Sequence, residues 1–274
     1  MKKIDEKSQK KIMIDILKYF DEICRNNNIK YSLIGGSLIG AIRHKGIIPW
    51  DDDIDVILDK ENYDKMIDVF SKKKHPKYHF LYYKNCERYY YPYPKLVDSS
   101  TYIEEPLMNE NIKELGIFID IFCYNNIPDD FKKQKNYIKH IKFTNIFLLR
   151  RKIDIKKYSM KKNFLRFNCN FLSKIIGYKK ILSHYENFCG KYNLVYNNYV
   201  CSNWPSYGVK NEIQNSEDIK DYIDVQFEGI KVMIFKNYDK ILRTTFGDYM
   251  ILPPVEKRIS HNLNAYWRDS NEEK

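Results

Sequence analysis

The sequence has no run approaching the ~18 uninterrupted apolar residues that a membrane-spanning helix needs. No apolar stretch follows the lysines of its opening MKKIDEKSQKK either. The expectation is a cytoplasmic chain without a secretory signal. No C-x-x-C pair joins any of the six cysteines, Cys24, Cys86, Cys123, Cys169, Cys189 and Cys201. They read as reduced thiols rather than a disulfide framework or a structural zinc site. His75, His79 and Cys86 also fit no zinc-ligand spacing. No internal repeat, coiled-coil heptad or low-complexity linker divides the 274 residues. No RNA- or DNA-binding motif is recognisable.

What is present is the composition of a folded chain, 43% hydrophobic and 30% charged, enough to bury a core. A formal charge of +11 predicts attraction to polyanions: nucleotide, anionic glycan, the inner membrane face or nucleic acid. Charge alone does not choose among them.

Tyr31 to Leu58, YSLIGGSLIGAIRHKGIIPWDDDIDVIL, concentrates the chemical signals. Tyr31 to Ile34 reads as a buried strand, Gly35-Gly36-Ser37 as a tight turn, and Leu38 to Ile42 as the first turns of a helix. Amide N–H groups behind two glycines form a seat for phosphate. Beyond Pro49, Asp53 and Asp55 share one side of a strand while Ile54 and Val56 take the other. Carboxylates placed so can share a divalent cation. An isolated DDDID would read as a solvated acidic turn, but apolar residues at period two and the glycine turn upstream argue against that. An EF-hand loop is excluded, because no Gly stands at the sharp-turn position and no Glu at the twelfth.

The stretch GGSLIGAIRHKGIIPWDDDID closely resembles the signature of the LicD family, which includes the fukutin proteins and is related to polymerase-beta-like nucleotidyltransferases. The resemblance continues at Gly116-Ile-Phe-Ile-Asp-Ile-Phe122, at Phe227-Glu-Gly229, and at Phe246-Gly-Asp-Tyr-Met followed by Leu252-Pro-Pro-Val-Glu-Lys-Arg258 and His261. It implies an α/β (α+β) fold: a nucleotidyltransferase-like mixed sheet flanked by helices, one domain over residues 1–274. A basic helical insertion would occupy 131–215. It implies a phosphotransferase that moves a phospho-alcohol, most often phosphocholine, from a CDP-alcohol donor to a glycan, lipopolysaccharide or teichoic acid precursor, releasing CMP. It also assigns Asp120 to the metal site beside Asp53 and Asp55, with Mg²⁺ or Mn²⁺ as cofactor. Gly35, Gly36 and Ser37 would cradle phosphate; Arg43, Lys45, Lys257, Arg258, and with them Lys95 and His261, would neutralise its charge. Asp51 and Asp52 would support the metal ligands from behind. CDP-choline is the favoured donor and an anionic glycan or glycolipid the acceptor, with peripheral contact at the inner membrane face. Two rivals stand: a nucleotidyltransferase acting on a nucleoside triphosphate, and a basic nucleic-acid-binding module that would leave the aspartates unexplained.

Along the rest of the chain, Ser8 to Asn26 places Ile12, Met13, Ile16, Leu17, Phe20, Ile23 and Cys24 on one helical stripe. A second helix starts at Asp59 with Tyr63, Met66, Ile67 and Phe70 inward. HFLYY and YYYPYPKLVD suggest a hairpin, and Pro92 and Pro94 mark its second run as an edge. Lys95 there either snorkels or contacts phosphate. Asp120, a lone acid among Ile117, Phe118, Ile119, Ile121 and Phe122, is costly to bury without a partner, unless it lies exposed at a strand end. From Phe131 to Leu182 sixteen Lys or Arg face a single acid, Asp154, with apolar residues at helical spacing. That segment is either a solvated basic face on helices covering the sheet or a dock for an anionic partner. Tyr196, Tyr199, Trp204 and Tyr207 form an aromatic run, suited to core packing or, for choline, to a cation cage. Asn237 caps a helix ending at Gly247, and the residues from about Arg268 read as disordered.

Overall fold

The computed structural model describes residues 1–104, 112–148, 159–258 and 263–269. Helix α1 (Glu6–Asn26) starts where the Asp5 carboxylate accepts the Ser8 N–H, and all seven residues of its foreseen stripe are buried. Strand β1 (Ser32–Leu33) leads into α2 (Gly35–Ile39) and then a π-helical turn (Gly40–His44), which Lys45 ends at φ +60°. The helix thus begins at the glycines rather than at Leu38, because Gly35 takes φ +59° at its first position.

Strand β2 (Asp55–Leu58) is followed by α3 (Lys60–Lys72), whose first turn is closed by the Asp59 carboxylate accepting the Asn62 N–H at 2.9 Å. Strands β3 (Tyr78–Leu81), β4 (Lys95–Asp98), β5 (Thr101–Glu104) and β6 (Phe118–Ile127) complete the first half. A seven-stranded sheet runs β1-β2-β6-β4-β3, with β7 (Tyr199–Ser202) on the far half of β6 and β8 (Ile213–Asn215) beside it. Strands β2 and β6 are parallel and the other pairs antiparallel, so the sheet is mixed and the fold is α/β. The hairpin of β3 and β4 forms, yet β4 lies inside the sheet rather than at its edge. Pro92 and Pro94 precede the strand, so no ladder N–H is lost, and the Pro94 carbonyl accepts the Ile121 N–H.

Between β6 and β7 come α4 (Phe131–Leu148), α5 (Met160–Ile176) and α6 (Tyr178–Cys189). The segment is helical, as its spacing suggests, but the apolar side chains of α5 do not cover the sheet. Phe164, Phe167, Phe171, Ile175 and Ile176 are exposed, whereas Asn163, Cys169 and Ser173 are buried. The side chains of Ile146 and Phe147 lie outside the described residues.

Strands β9 (Tyr222–Phe227) and β10 (Ile230–Phe235) form a hairpin closed by Glu228 and Gly229, both at positive φ, the conformation of a tight two-residue hairpin loop. Helix α7 (Tyr238–Phe246) ends at Gly247; Asn237 precedes it, but its side-chain amide donates to Asp218 rather than capping the helix. Strand β11 (Asn264–Trp267) pairs with β5, and the Ile4 N–H donates to Ala265 O. Arg268, expected to be disordered, is fixed there: its guanidinium donates to Thr101 O at 2.8 Å and to Lys113 O at 2.6 Å.

Candidate active site

Cross-strand partners in a sheet point to one face, and the register of β4, β6 and β2 sets Lys95 opposite Asp120 and Asp120 opposite Asp55. A cation and two carboxylates therefore form a row across three adjacent strands. Lys95 Nζ donates to Asp120 Oδ1 at 2.5 Å with both side chains nearly closed to solvent, and the ammonium lies 3.4 Å from the Phe118 ring centroid. Lys95 is consequently neither snorkelling nor at an edge; it is a buried counterion inside the sheet. Asp120 likewise is not at an exposed strand end.

The Asp55 N–H donates to Ser37 Oγ at 2.9 Å, which ties the glycine turn to the start of β2. Burial pushes the Asp55 carboxyl well above the ordinary carboxylate range; repulsion from Asp53, Asp120 and Asp51 adds to the shift and Lys95 opposes it. A set of hard oxygen donors that repel one another in a buried site fits a divalent cation such as Mg²⁺ by its chemistry. As the side chains stand, no three acidic, His or Cys groups among the described residues close around a single point. Asp120 Oδ1 faces Lys95 instead.

Over this row lies a cavity of about 270 Å³ with Asp53, Asp55 and Asp120 on its floor. Its walls are aromatic. Tyr93, Phe122 and Tyr124 come from β6 and the loop before β4, Trp204 and Tyr207 from the segment after β7, and Phe246 from α7. Phe122 and Tyr124 project from the same face as Asp120 because they follow it at period two. The Tyr93 ring packs on Phe122 at 4.6 Å, and Tyr207 meets Phe246 edge to face at 4.6 Å. Of the aromatic run in the sequence, Trp204 and Tyr207 reach the cavity. Tyr196 and Tyr199 are exposed, and the Tyr196 hydroxyl donates to Glu217 instead.

Sequence reading missed Glu212, which lines the same cavity. Its buried carboxylate accepts the Tyr207 N–H, and no described Lys, Arg or His pairs with it. Burial raises its pKa to about 7, against the opposing pull of the Tyr207 and Ser206 N–H groups. The one signal was its position, an acid shortly after the aromatic run.

The remaining candidates divide between this cavity and its surroundings. Gly35 lines it, and a side chain there would meet the Tyr207 hydroxyl at 3.3 Å and the Asp55 carboxylate at 3.7 Å. A side chain on Gly36 would strike the Asp51 carboxylate, which places Asp51 directly behind the turn. Asp52 is buried and accepts the Leu263 N–H at 3.4 Å, so it holds the C-terminal segment. Arg43 donates to Tyr249 O at 2.6 Å and Ile251 O at 3.4 Å, and Arg258 to Pro253 O at 2.9 Å while stacking over Trp50 at 4.9 Å. Burial and the Arg258 charge together lower the Arg43 pKa, so two guanidiniums sit close enough to repel. Lys45 and Lys257 are exposed and do not line the cavity. His261 lies outside the described residues.

Residues 28–149, which carry the glycine turn, the aspartates and Lys95, match the family model described as the LicD/FKTN/FKRP nucleotidyltransferase domain. Over 96% of its length the chain is 32% identical to the lipopolysaccharide cholinephosphotransferase LicD of Haemophilus influenzae, covering 98% of that protein. Shorter similarities link it to uncharacterized Rickettsia proteins: 48% identity over 44 residues in R. prowazekii, 16% of each chain, and 47% over 51 residues in R. typhi, 18% of this chain and 16% of that one. The chain belongs to the LicD family.

Proposed function

We propose that this protein is a phosphotransferase that moves phosphocholine from CDP-choline to a hydroxyl of a lipopolysaccharide-type cell-surface glycan, releasing CMP. The observation that carries choline over other alcohols is Glu212, a buried carboxylate in an aromatic cavity whose floor holds three aspartates. A quaternary ammonium has no N–H to donate, so ring faces and an anion recognise it rather than hydrogen bonds. A glycerol or ribitol phosphate would bring hydroxyl groups but no positive charge to Glu212. Similarity to a lipopolysaccharide cholinephosphotransferase supports the same choice.

Asp53, Asp55 and Asp120 would hold Mg²⁺ or Mn²⁺, which when bound screens the diphosphate and stabilises the departing nucleotide. Lys95 holds Asp120 aligned in the row. Ser37 fixes the backbone of Asp55, while Gly35 and Gly36 let the chain approach the phosphates closely. Asp53 or Asp120 takes the proton of the acceptor hydroxyl as that oxygen bonds to the choline phosphorus. The bond from phosphorus to the bridging oxygen breaks, and its electron pair leaves with CMP. Arg43, Arg258, Lys45, Lys257 and His261 neutralise the CMP charge, and Asp51 and Asp52 brace the two ends of the site. The acceptor glycan is itself anionic and meets a chain of net charge +11.

Phosphorus NMR of the protein with Mg²⁺ tests the reaction. CDP-choline is expected to give CMP and phosphocholine by slow transfer to water, with CTP unchanged. Pyrophosphate released from CTP would instead identify a nucleotidyltransferase.

A further inference from the structure

Helix α5 carries its apolar residues on the wrong side for a protein core. Phe164 is 71% exposed, Phe171 56% and Ile175 67%, and with Met160 and Phe167 they recur every three or four residues, so they form one continuous stripe. Leu165, Leu172 and Ile176 are exposed beside it and widen it. The opposite face, turned into the protein, is small and polar: Asn163, Cys169 and Ser173 are buried there, and Ser173 Oγ donates back to Cys169 O at 2.6 Å. In a water-facing helix the two sets would be exchanged. A contiguous exposed face of this kind marks a surface that something else covers.

The charges beside it select the occupant. Lys161 and Lys174 flank the stripe on α5 while Lys162 and Arg166 lie on its far side, Lys179 and Lys180 open α6, and residues 159–182 contain no Asp or Glu. Two copies of this face brought together would oppose these flanking lysines with their like, which is repulsive. An anionic lipid surface presents phosphates to the lysines and acyl chains to the phenylalanines. The helix cannot instead cross the bilayer: no helix among the described residues is long and apolar enough.

We infer that the outward face of α5 lies in the headgroup layer of an anionic phospholipid membrane, with Phe164, Phe167, Phe171 and Ile175 inserted and the flanking lysines on lipid phosphates. The inference rests on α5 and the start of α6 and is independent of which donor the cavity takes. Its consequence is positional. The helical segment joins β6 to β7, the strands that bring Asp120 and Trp204 to the site, so docking it brings the site close to any acceptor carried by a lipid.

Vesicle flotation of the full chain, without nucleotide, tests this. The wild type is expected to float with vesicles of phosphatidylglycerol and phosphatidylcholine in equal parts, and at least tenfold more weakly with phosphatidylcholine alone. Phe167→Ser combined with Phe171→Ser should lower flotation at least tenfold while circular dichroism and melting temperature stay unchanged, because both side chains are exposed. A wild type that stays in the aqueous layer, or a variant that floats as well as the wild type, overturns the inference. So does a concentration-dependent dimer in sedimentation that the double variant abolishes, since the face would then belong to a second copy.

Discussion

Removing the ammonium of Lys95 would leave Asp120 as a buried anion, and truncating one partner of such a pair costs about 3–5 kcal/mol. Lys95→Met should therefore lower stability by that order in chemical denaturation. Adding Asp120→Asn should restore most of it, although turnover stays lost. Full stability in Lys95→Met alone would show that the pair is incidental. Glu212 behaves in the opposite sense. Its folded pKa of about 7 lies above the ordinary 4.5, so the folded state holds this proton more tightly than the unfolded chain does. Its contribution is greatest below about pH 4.5 and falls as pH rises through about 7, a loss on the order of 3 kcal/mol. Glu212→Gln should flatten the stability profile in that window. In the wild type, affinity for a choline ligand should weaken as pH drops below about 7, because a neutral acid no longer attracts the cation; the glutamine variant should bind weakly at every pH. Tyr124, Cys201 and Tyr207, the groups whose own pKa values the Glu212 charge raises, stay neutral throughout this range.

At the scale of elements, the hairpin of β9 and β10 braces the glycine turn from a distance. The Glu228 N–H donates to Lys45 O at 2.9 Å and its carboxylate accepts the Ile47 N–H at 2.9 Å, filling the space that Gly46 leaves by having no side chain. Glu228→Ala should cost about 1–3 kcal/mol, the penalty for stranding a buried N–H, and should lower turnover with it, because this clamp fixes the turn leading into Asp51 to Asp55. Thermal melting and turnover measured on one preparation would check both; a loss of neither would refute the clamp. Strands β2 and β6 were legible in the sequence because an acid at period two among apolar residues is expensive anywhere but a site. The interior position of β4 was not, since prolines just before a strand look the same in sequence as prolines within it. The outward face of α5 was hidden for a related reason: a helical period fixes which residues share a face, not which way the face turns. Glu212 escaped because the cavity it lines is closed by β6, the loop before β4 and α7, and such convergence exists only after folding. Arg43 and Arg258 were read by charge alone, whereas carbonyl oxygens take part of their donor capacity.

For the whole molecule, the charge and the cavity divide the work. The aspartates and Glu212 give the cavity a negative interior suited to cations, while the basic excess concentrates in the helices between β6 and β7 and suits an anionic surface. A nucleic-acid module would use the second feature and leave the first without purpose. The family relationship extends over nearly the whole chain, so Glu212, Trp204, Tyr207 and Phe246 lie within the matched length although they fall outside residues 28–149.

Calorimetric binding with Mg²⁺ present, comparing CDP-choline, CDP-ethanolamine, CDP-glycerol, CDP-ribitol and CTP, addresses the central claim most directly. The account predicts tightest binding for CDP-choline, dependence on Mg²⁺ that Asp55→Asn removes, and a loss of about tenfold in Glu212→Gln for CDP-choline but not for CDP-glycerol. Equal binding of all the CDP-alcohols, or a preference for CTP, would contradict it.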